Sequence, residues 1–298
     1  MDAPNERAPA DRSGAFGVVL VAYLLALAAA LATGLWLGNE RPILTVFVAD
    51  AVATLVIFAF SMALRNSSLY DAYWSLAPPV IALYWAQLPS ALGADGVRQG
   101  LVLWLVVAWA VRLTFNWARG WAGLGHEDWR YVDLRASAKI PYWLVSLGGI
   151  HFFPTVQVFL GCLALYPALT LGTRPFGVLD IVATLVTAGA IAIELLADEQ
   201  LAAFNRTKQP GEICTRGVWA WSRHPNYFGE LSFWWGLWLF GLAADPSWGW
   251  TVIGPLAMTG MFLFASIPML DKRSVGRRPG YAEHMRRVSR LVPWPPRG

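Results

Sequence analysis

The clearest indication of the fold class is an uncharged apolar run near the start of the chain, residues 15–37, which read AFGVVLVAYLLALAAALATGLWL. About 20 apolar residues are enough for an α-helix to cross the hydrocarbon core of a bilayer. The run is longer than the apolar core of a signal peptide and has no evident cleavage site. The sequence therefore predicts a transmembrane helix here, not a cleaved leader.

Seven further apolar runs follow in the sequence. They cover residues 43–64, 69–88, 100–117, 140–171, 176–197, 227–244 and 248–270. Of the 298 residues, 56% are hydrophobic, only 14% are charged, and 17 are Trp, a side chain enriched at membrane interfaces. We therefore expect an all-α fold, a polytopic transmembrane helical bundle of about eight spans.

The distribution of basic residues predicts the orientation of these spans. If successive loops alternate between the two sides of the membrane, the side of the N-terminus carries 20 of the 23 Lys and Arg residues. The other side carries Arg41, Arg98 and Arg174. Because Lys and Arg accumulate in cytoplasmic loops, both termini are expected in the cytoplasm. The basic residues form no continuous stripe, which argues against nucleic-acid binding.

Several common kinds of site have no signature in this sequence. It has no Walker motif, and no G-x-G-x-x-G follows a strand-like run, so a nucleotide site would need another construction. The four His residues lie far apart and form no H-E-x-x-H motif, so no metal site is predicted. The two Cys residues do not indicate a disulfide framework.

The densest polar stretch is RHPNYFGE at residues 223–230, which leads into the seventh span. Pro225 suits the first turn of a helix, where its missing N–H is not needed. Asn226 and Glu230 are four residues apart and share one helix face. Arg223 and the histidine after it precede the helix start, where free backbone N–H groups attract anions. The stretch predicts a phosphate or carboxylate site beside an amide, a phenol and a buried acid.

Two other helix ends carry polar side chains at spacings of three or four residues. These are Glu194 with Asp198 in the sixth span, and Arg112 with Asn116 and Arg119 in the fourth. Both groups have two readings. The arginines either contact phosphates or form an ordinary basic collar, and the acids either line a site or reach the interface to meet Arg206 or Lys208. The segment GLGHEDWRY at 123–131 could fold over a cofactor.

Polar residues also occur inside other spans. In the third span, YDAYW at residues 70–74 places an acid and two phenols at a membrane boundary. An aromatic belt accounts for the rings but not for Asp71. His151 and Gln157 in the fifth span are expected to make interhelical hydrogen bonds rather than to carry protons, and we interpret Asp50 in the same way.

Three separated motifs together resemble the steroid 5-alpha-reductase superfamily. They are RHPNYFGE with P-G-E at residues 210–212 and Asp198 upstream, D-x-Y-W-S-L at 71–76, and G-L-x-H-E-D-x-R-Y at 123–131. The similarity is greatest to the bacterial branch, formerly known as a conserved membrane domain of unknown function. The resemblance covers about residues 45–295 and implies a seven-helix reductase-like domain there. The apolar runs and the basic residues predict, before it, a cytoplasmic tail at 1–14 and an additional N-terminal transmembrane helix at 15–44.

The reaction that the resemblance implies is reduction of an activated carbon–carbon double bond, such as an enone, with NADPH. The substrate would be a lipophilic molecule entering from the bilayer. The location would be a bacterial inner membrane, with the cofactor site on the cytoplasmic side, and no protein partner is inferred. Residues that match cofactor-contacting positions are Arg112, Asp198, Asn226, Tyr227 and Glu230, with looser matches at Arg119, Glu194, Arg223 and Tyr281. Asn116 joins this set by its helix face.

The substrate half of the site is matched less closely. In steroid reductases an acid and a tyrosine bind the substrate ketone. Here Trp109 stands three residues before Arg112, where that tyrosine is expected. The acid is approximated by Asp71, with Tyr73 as its partner. These two residues, or water, are the expected sources of the proton.

Two other functions share part of the signature. Isoprenylcysteine carboxyl methyltransferases, which bind S-adenosylmethionine, also carry R-H-P-x-Y-x-G at a helix start. The reductases are favoured by Asn226, Glu230, Asp198 and the arginines. The arginines count because a dinucleotide with several phosphates is bound by more arginines than a cationic sulfonium is. The third possibility is a non-catalytic membrane protein that binds lipid or acts as a scaffold.

Overall fold

The computed structural model describes residues 12–171 and 174–297, and this part of the chain is helical, with one isolated β-bridge and no β-strand. Its helices are α1 Arg12–Leu37, α2 Pro42–Leu64, α3 Tyr73–Ala86, α4 Gly96–Gly120, α5 Trp129–Ser137, α6 Tyr142–Cys162, α7 Leu165–Thr170, α8 Val178–Thr207, α9 Pro225–Ala244, α10 Pro246–Arg277 and α11 Tyr281–Arg287. The all-α class is confirmed. Residues 1–11 of the predicted tail lie outside the described residues, and residues 12–14 belong to α1.

Six helices in the described part of the chain are long and apolar enough to cross a membrane: α1, α2, α4, α6, α8 and α10. The chain is thus an integral, multi-pass membrane protein in contact with lipids. The other two predicted spans differ from these six. Helix α3 has 14 residues with Pro78 and Pro79 inside it, and α9 has 20 residues that include several Trp and Glu230. Eight spans and cytoplasmic termini remain predictions.

The predicted fifth span, a single bent helix over residues 140–171, is divided in the structure. Helix α6 ends at Cys162, and α7 begins at Leu165. Pro167 explains the break, because proline has no N–H and its ring would clash with the carbonyl four residues earlier, at Leu163. Within α6, a π-helical segment at Ser146–Phe152 precedes Pro154 and accommodates it.

The described residues divide into two compact units. The first comprises the residues up to Leu88 together with Ala110–Phe159. In it, α1 packs through small buried residues, Ala15, Ala22 and Ala26, and the Tyr23 hydroxyl donates to the Leu69 carbonyl oxygen at 2.7 Å. The opposite face of α1 exposes leucines, as expected of a helix in contact with lipid.

The second unit comprises Pro89–Trp109 and the residues from Leu160 onward. Its α8 and α9 pack closely, because a Cβ atom added at Gly229 would lie 2.8 Å from the Ala190 carbonyl oxygen and against the Glu194 side chain. Small residues commonly allow such close approach between membrane helices. Glu194 is thereby fixed beside the first turns of α9.

Candidate functional site

The segment that leads into α9 is fixed by the C-terminal residues of the second unit. The Arg223 backbone N–H donates to the Ser289 carbonyl oxygen at 2.9 Å, and the Ser222 hydroxyl donates to the Leu291 carbonyl oxygen at 2.7 Å. The Trp294 N–H donates to the Trp221 carbonyl oxygen at 3.0 Å. Helix α9 then begins at Pro225, as the sequence predicts.

A buried carboxylate on α10 collects three donors at this point. Asp271 Oδ2 accepts from Arg223 Nη1 at 2.9 Å, and its Oδ1 accepts from His224 Nε2 at 3.0 Å and from the Tyr281 hydroxyl at 3.1 Å. We call these four residues the Asp271 cluster. Arg223 is 7% exposed and Asp271 is 6% exposed, so their ion pair is largely shielded from solvent.

The surroundings of the cluster keep Tyr281 and its neighbour His284 neutral. Burial, reinforced by the negative charge of Asp271, raises the pKa of Tyr281, so its hydroxyl stays protonated and donates. Burial and the charges of Arg223 and Arg278 lower the pKa of His284, whose ring centroid lies 5.6 Å from that of Tyr281. A cationic His284 is therefore disfavoured at neutral pH.

The start of α9 has features that suit an anionic ligand. The His224 side chain bonds Asp271 and does not cap the helix, and Pro225 occupies its first position. Arg223 Nε is buried and has no hydrogen-bond partner among the described residues. A guanidinium with a spare donor beside a helix N-terminus is well suited to phosphate oxygens. This donor set is suited to an anionic phosphate group.

Glu230, one turn further into α9, is buried and accepts hydrogen bonds from two indoles. Trp109 Nε1 donates to Oε2 at 3.0 Å, and Trp234 Nε1 donates to Oε1 at 2.8 Å. The Trp109 ring also stacks on Phe233, with the ring centroids 4.6 Å apart. Trp109, which stands where the resemblance leads us to expect a tyrosine, is thus a direct hydrogen-bond partner of Glu230. These two donors compensate the burial of the acid, which is 4% exposed.

The remaining predicted cofactor residues of this unit lie on α8 and α9. Glu194 is 2% exposed and Asp198 is 8% exposed. The ring of Tyr227 stacks on His224 with centroids 5.5 Å apart, and Asn226 is half-buried on the first turn of α9. The second unit therefore brings Arg223 and Tyr281 together through Asp271, joins Tyr227 to His224, and places Glu194 against Gly229.

The other predicted cofactor residues belong to the first unit. They lie on the last turns of α4, where Arg119 Nε donates to Asn116 Oδ1 at 2.9 Å. That bond places Asn116 and Arg119 on one face of the helix, as predicted. Arg112 is buried, 8% exposed, one turn earlier on the same helix.

Two motifs that are far apart in sequence meet in the first unit. The segment 123–131 packs on the turn 66–71, which leads into α3. Asn66 Nδ2 donates to the Leu124 and His126 carbonyl oxygens, both at 2.9 Å. The backbone N–H groups of Ser67 and Asp128 donate to Glu127 Oε1 and Ser68 Oγ, both at 2.8 Å. The observed bonds of this segment are thus to protein, whereas its predicted contact with a cofactor stays a prediction.

Asp71 and Tyr73 are not partners in the structure. The Tyr131 hydroxyl donates to Asp71 Oδ1 at 2.5 Å, whereas the Tyr73 hydroxyl donates to Asp50 Oδ1 at 2.8 Å. The predicted action of these two residues on a substrate carbonyl stays a prediction. Successive residues of a helix point in different directions, so spacing within 70–74 could not reveal either partner.

Two ionisable groups near Asp71, Tyr131 and Asp128, lie outside the membrane-spanning helices and have shifted pKa values. Burial and the Asp71 charge raise the pKa of Tyr131 well above its usual range, so the phenol stays protonated. Burial alone would raise the pKa of Asp128, but hydrogen bonds and the charge of Arg130 outweigh it and lower that pKa. Asp128 also caps α5 by accepting from the Arg130 backbone N–H at 2.8 Å.

The predicted structural roles inside the spans have mixed outcomes. His151 Nδ1 donates to the Ser146 carbonyl oxygen at 2.8 Å, and its Nε2 lies 3.1 Å from Ser61 Oγ on α2, which confirms an interhelical bond. The buried Oε1 of Gln157 has no hydrogen-bond partner among the described residues. No group of three His, Cys, Asp or Glu in the described part of the chain could hold a metal ion.

Comparison with known proteins places the chain in a family. The profile of the family described as protein of unknown function DUF1295 matches residues 57–288. The chain belongs to the DUF1295 family. An uncharacterized protein of Schizosaccharomyces pombe, C594.04c, is 26% identical over 280 residues, which cover 86% of this chain and 80% of the yeast protein. No solved structure matches the chain.

The region matched by the DUF1295 profile contains the main features described above. It includes both motifs of the first unit and the whole Asp271 cluster. Helix α1 and Asp50 lie before it. Sequence reasoning missed Asp271 and did not single out Tyr131 within the segment 123–131. Asp50, the single charge of an otherwise apolar span, was expected to bond between helices, and it accepts from Tyr73 on α3.

Proposed function

We propose that this DUF1295 protein is a membrane-embedded oxidoreductase that reduces an activated carbon–carbon double bond of a lipophilic substrate with NADPH. The observation that carries the proposal is the Asp271 cluster. It holds a buried guanidinium at an uncapped helix start, with one donor, Nε, still without a partner in the described residues. The resemblance of the three motifs to the steroid 5-alpha-reductase superfamily supplies the reaction class.

The donor set favours a phosphate-rich dinucleotide over the methyl donor of the alternative function. Arg223 presents a planar fork that matches phosphate oxygens, and the start of α9 adds backbone N–H groups. Neither feature attracts the cationic sulfonium of S-adenosylmethionine. The proposed cofactor contacts are the ten residues identified in the sequence: Arg112, Asn116, Arg119, Glu194, Asp198, Arg223, Asn226, Tyr227, Glu230 and Tyr281.

Bound NADPH would supply a hydride to one carbon of the double bond. The proton for the neighbouring carbon, or for the carbonyl oxygen, is assigned to the Tyr73 hydroxyl, which donates to Asp50 Oδ1 in the structure and would have to turn from Asp50 to the substrate to deliver its proton. Asp71 is the second candidate donor; its carboxylate accepts from the Tyr131 hydroxyl and would first have to be protonated. The separate variants Tyr73→Phe, which removes the hydroxyl, and Asp71→Asn, which removes the carboxylate, distinguish the two candidate donors.

The topology belongs to the same proposal. With α3 and α9 counted as spans, the chain crosses the membrane eight times and both termini face the cytoplasm, as the distribution of basic residues predicts. The Asp271 cluster and the basic residues after α10 then lie on the cytoplasmic side, where NADPH is available. In a bacterium this membrane would be the inner membrane.

The proposal is tested by thermal stabilisation of the detergent-purified protein with NADPH, NADH and S-adenosylmethionine. A ligand at 100 times its Kd should stabilise the folded state by about 2.7 kcal/mol. NADPH should stabilise the wild type and the control Arg286→Lys, an exposed residue of α11. Arg223→Lys keeps the charge but loses Nε, and should require about 10-fold or more NADPH for the same shift.

The other outcomes of this experiment also have clear meanings. Stabilisation by S-adenosylmethionine and not by NADPH would indicate a methyltransferase instead of a reductase. An equal response of the Arg223→Lys variant and the wild type would remove the observation on which the proposal depends. Absence of any shift at saturating ligand would favour a lipid-binding or scaffold role.

A further inference from the structure

Asp271 has no assigned role in the proposed reaction, yet it connects three separate segments of the second unit. Its two oxygens accept from Arg223 before α9, from His224 at the N-cap of α9, and from Tyr281 at the start of α11. The carboxylate is 6% exposed and lies on α10, 47 residues or more beyond the first two partners. A buried acid that satisfies three donors fixes the geometry of all three.

The bond from Asp271 leaves one edge of the Arg223 guanidinium available. Asp271 accepts from Nη1, while Nε lies on the other edge of the planar group, together with Nη2. Nε is buried without a hydrogen-bond partner among the described residues, which is costly unless a ligand or water completes it. The carboxylate therefore holds the guanidinium by one side and directs a second donor edge elsewhere.

His224 is fixed by the same carboxylate. Because a carboxylate only accepts hydrogen bonds, His224 Nε2 carries the proton and donates to Asp271. The ring plane fixed in this way supports the Tyr227 ring, which stacks on it at an interplanar angle of 13°. Asp271 thus orders the side chains on both sides of the first residue of α9.

We infer that Asp271 is a positioning residue, which holds Arg223 and His224 in place so that the start of α9 can bind a phosphate group. This inference deepens the proposed function and rests on it for the identity of the ligand as NADPH. The phosphate chemistry itself does not depend on that identity, since pyrophosphate presents the same oxygens. The charge of Asp271 neutralises one cation, so the cluster is stable before the anion arrives.

The test compares dissociation constants for sodium pyrophosphate and for NADPH in the wild type, Asp271→Asn, Arg223→Lys and the double variant. Asp271→Asn keeps the size of the side chain but loses its charge, and should weaken binding of both ligands by about 10- to 100-fold. Glu283→Gln, which changes an exposed acid on α11, is the matched control and should leave both constants unchanged.

The double variant separates positioning from general stabilisation. If Asp271 acts through Arg223 and His224, the Asn substitution should have a smaller further effect on either constant once the guanidinium is gone, because only positioning through His224 remains. A merely structural role predicts a lower melting temperature with unchanged constants, or equal effects in both backgrounds, and either result would overturn the inference. If Asp271→Asn does not fold, Asp271→Glu is used instead and should fold and retain part of the affinity. Wild-type dissociation constants in the Asp271→Glu variant would count against positioning.

Failure of the inference and failure of the proposed function give different results. Binding of pyrophosphate that depends on Asp271, with no binding of NADPH, would support the positioning role and refute the NADPH-dependent reductase. NADPH binding that is insensitive to Asp271→Asn would refute positioning and leave the reductase intact. Absence of binding of both ligands to the wild type would refute both.

Discussion

Replacement of Glu230 by Gln should destabilise the protein more than its conservative size suggests. In the wild type, two indole N–H groups, from Trp109 and Trp234, converge on the two carboxylate oxygens at 3.0 and 2.8 Å. Glutamine offers one acceptor oxygen and one NH2 group. One indole donor would therefore face another donor inside a site that is 4% exposed.

The magnitude follows from the bonds that change. A hydrogen bond to a charged group contributes about 1.5–3 kcal/mol, and a buried donor left unsatisfied costs about 1–3 kcal/mol. Part of one bond survives, so Glu230→Gln should lower the free energy of unfolding by about 2–4 kcal/mol. The exposed Glu283→Gln control should change it by less than about 0.5 kcal/mol.

A double-mutant cycle with Trp109→Phe identifies the cause. Phenylalanine removes the indole donor, so the conflict that Gln creates at Oε2 disappears. Glu230→Gln should then cost about 1–2 kcal/mol less in the Trp109→Phe background than in the wild type. The assay is unfolding in mixed micelles by SDS titration, followed by circular dichroism. Strictly additive effects, or unfolding of Glu230→Gln at the wild-type SDS fraction, would refute the reasoning.

Three further perturbations address other parts of the structure. Tyr73→Phe should lower the turnover of an enone substrate by about 100-fold or more, with little change in the Kd for NADPH. Asp71→Asn should lower that turnover less. If Asp71→Asn has the larger effect on turnover, Asp71 is the proton donor. Gly229→Ala should destabilise by about 1–3 kcal/mol, since its Cβ meets the Ala190 carbonyl oxygen, and a wild-type melting temperature would disprove that contact. Asp128 has a lowered pKa in the folded state, so its stabilising contribution is present above the unfolded-state pKa of about 3.9 and is lost as the pH falls through the folded-state value. Asp128→Asn should therefore lower the melting temperature at pH 7 but not at the lowest pH that the wild type tolerates, and a pH-independent difference would contradict this.

The sequence predicted those features that depend on local patterns. Apolar runs identify the helices, and the Pro225 signal places the start of α9 correctly, because both depend on neighbouring residues. The break between α6 and α7 was missed, although Pro167 is its cause, since a proline can either bend a membrane helix or end it.

Contacts between distant segments could not be predicted in the same way. Trp109 and Glu230 are 121 residues apart in the chain, and Arg223 and Asp271 are 48 apart. No spacing rule relates such positions, so the indole partners of Glu230 and the role of Asp271 become visible only when the helices are packed. The same is true of the hydrogen bonds from Tyr73 to Asp50 and from Tyr131 to Asp71.

The central claim, that the start of α9 binds the phosphates of NADPH, is tested most directly by an equilibrium titration of the purified protein with NADPH, followed by nicotinamide fluorescence. The account expects a saturable signal that pyrophosphate competes away and that Arg223→Lys shifts to higher concentration by about 10-fold or more. A signal that is not saturable, or one that neither pyrophosphate nor Arg223→Lys affects, would contradict it.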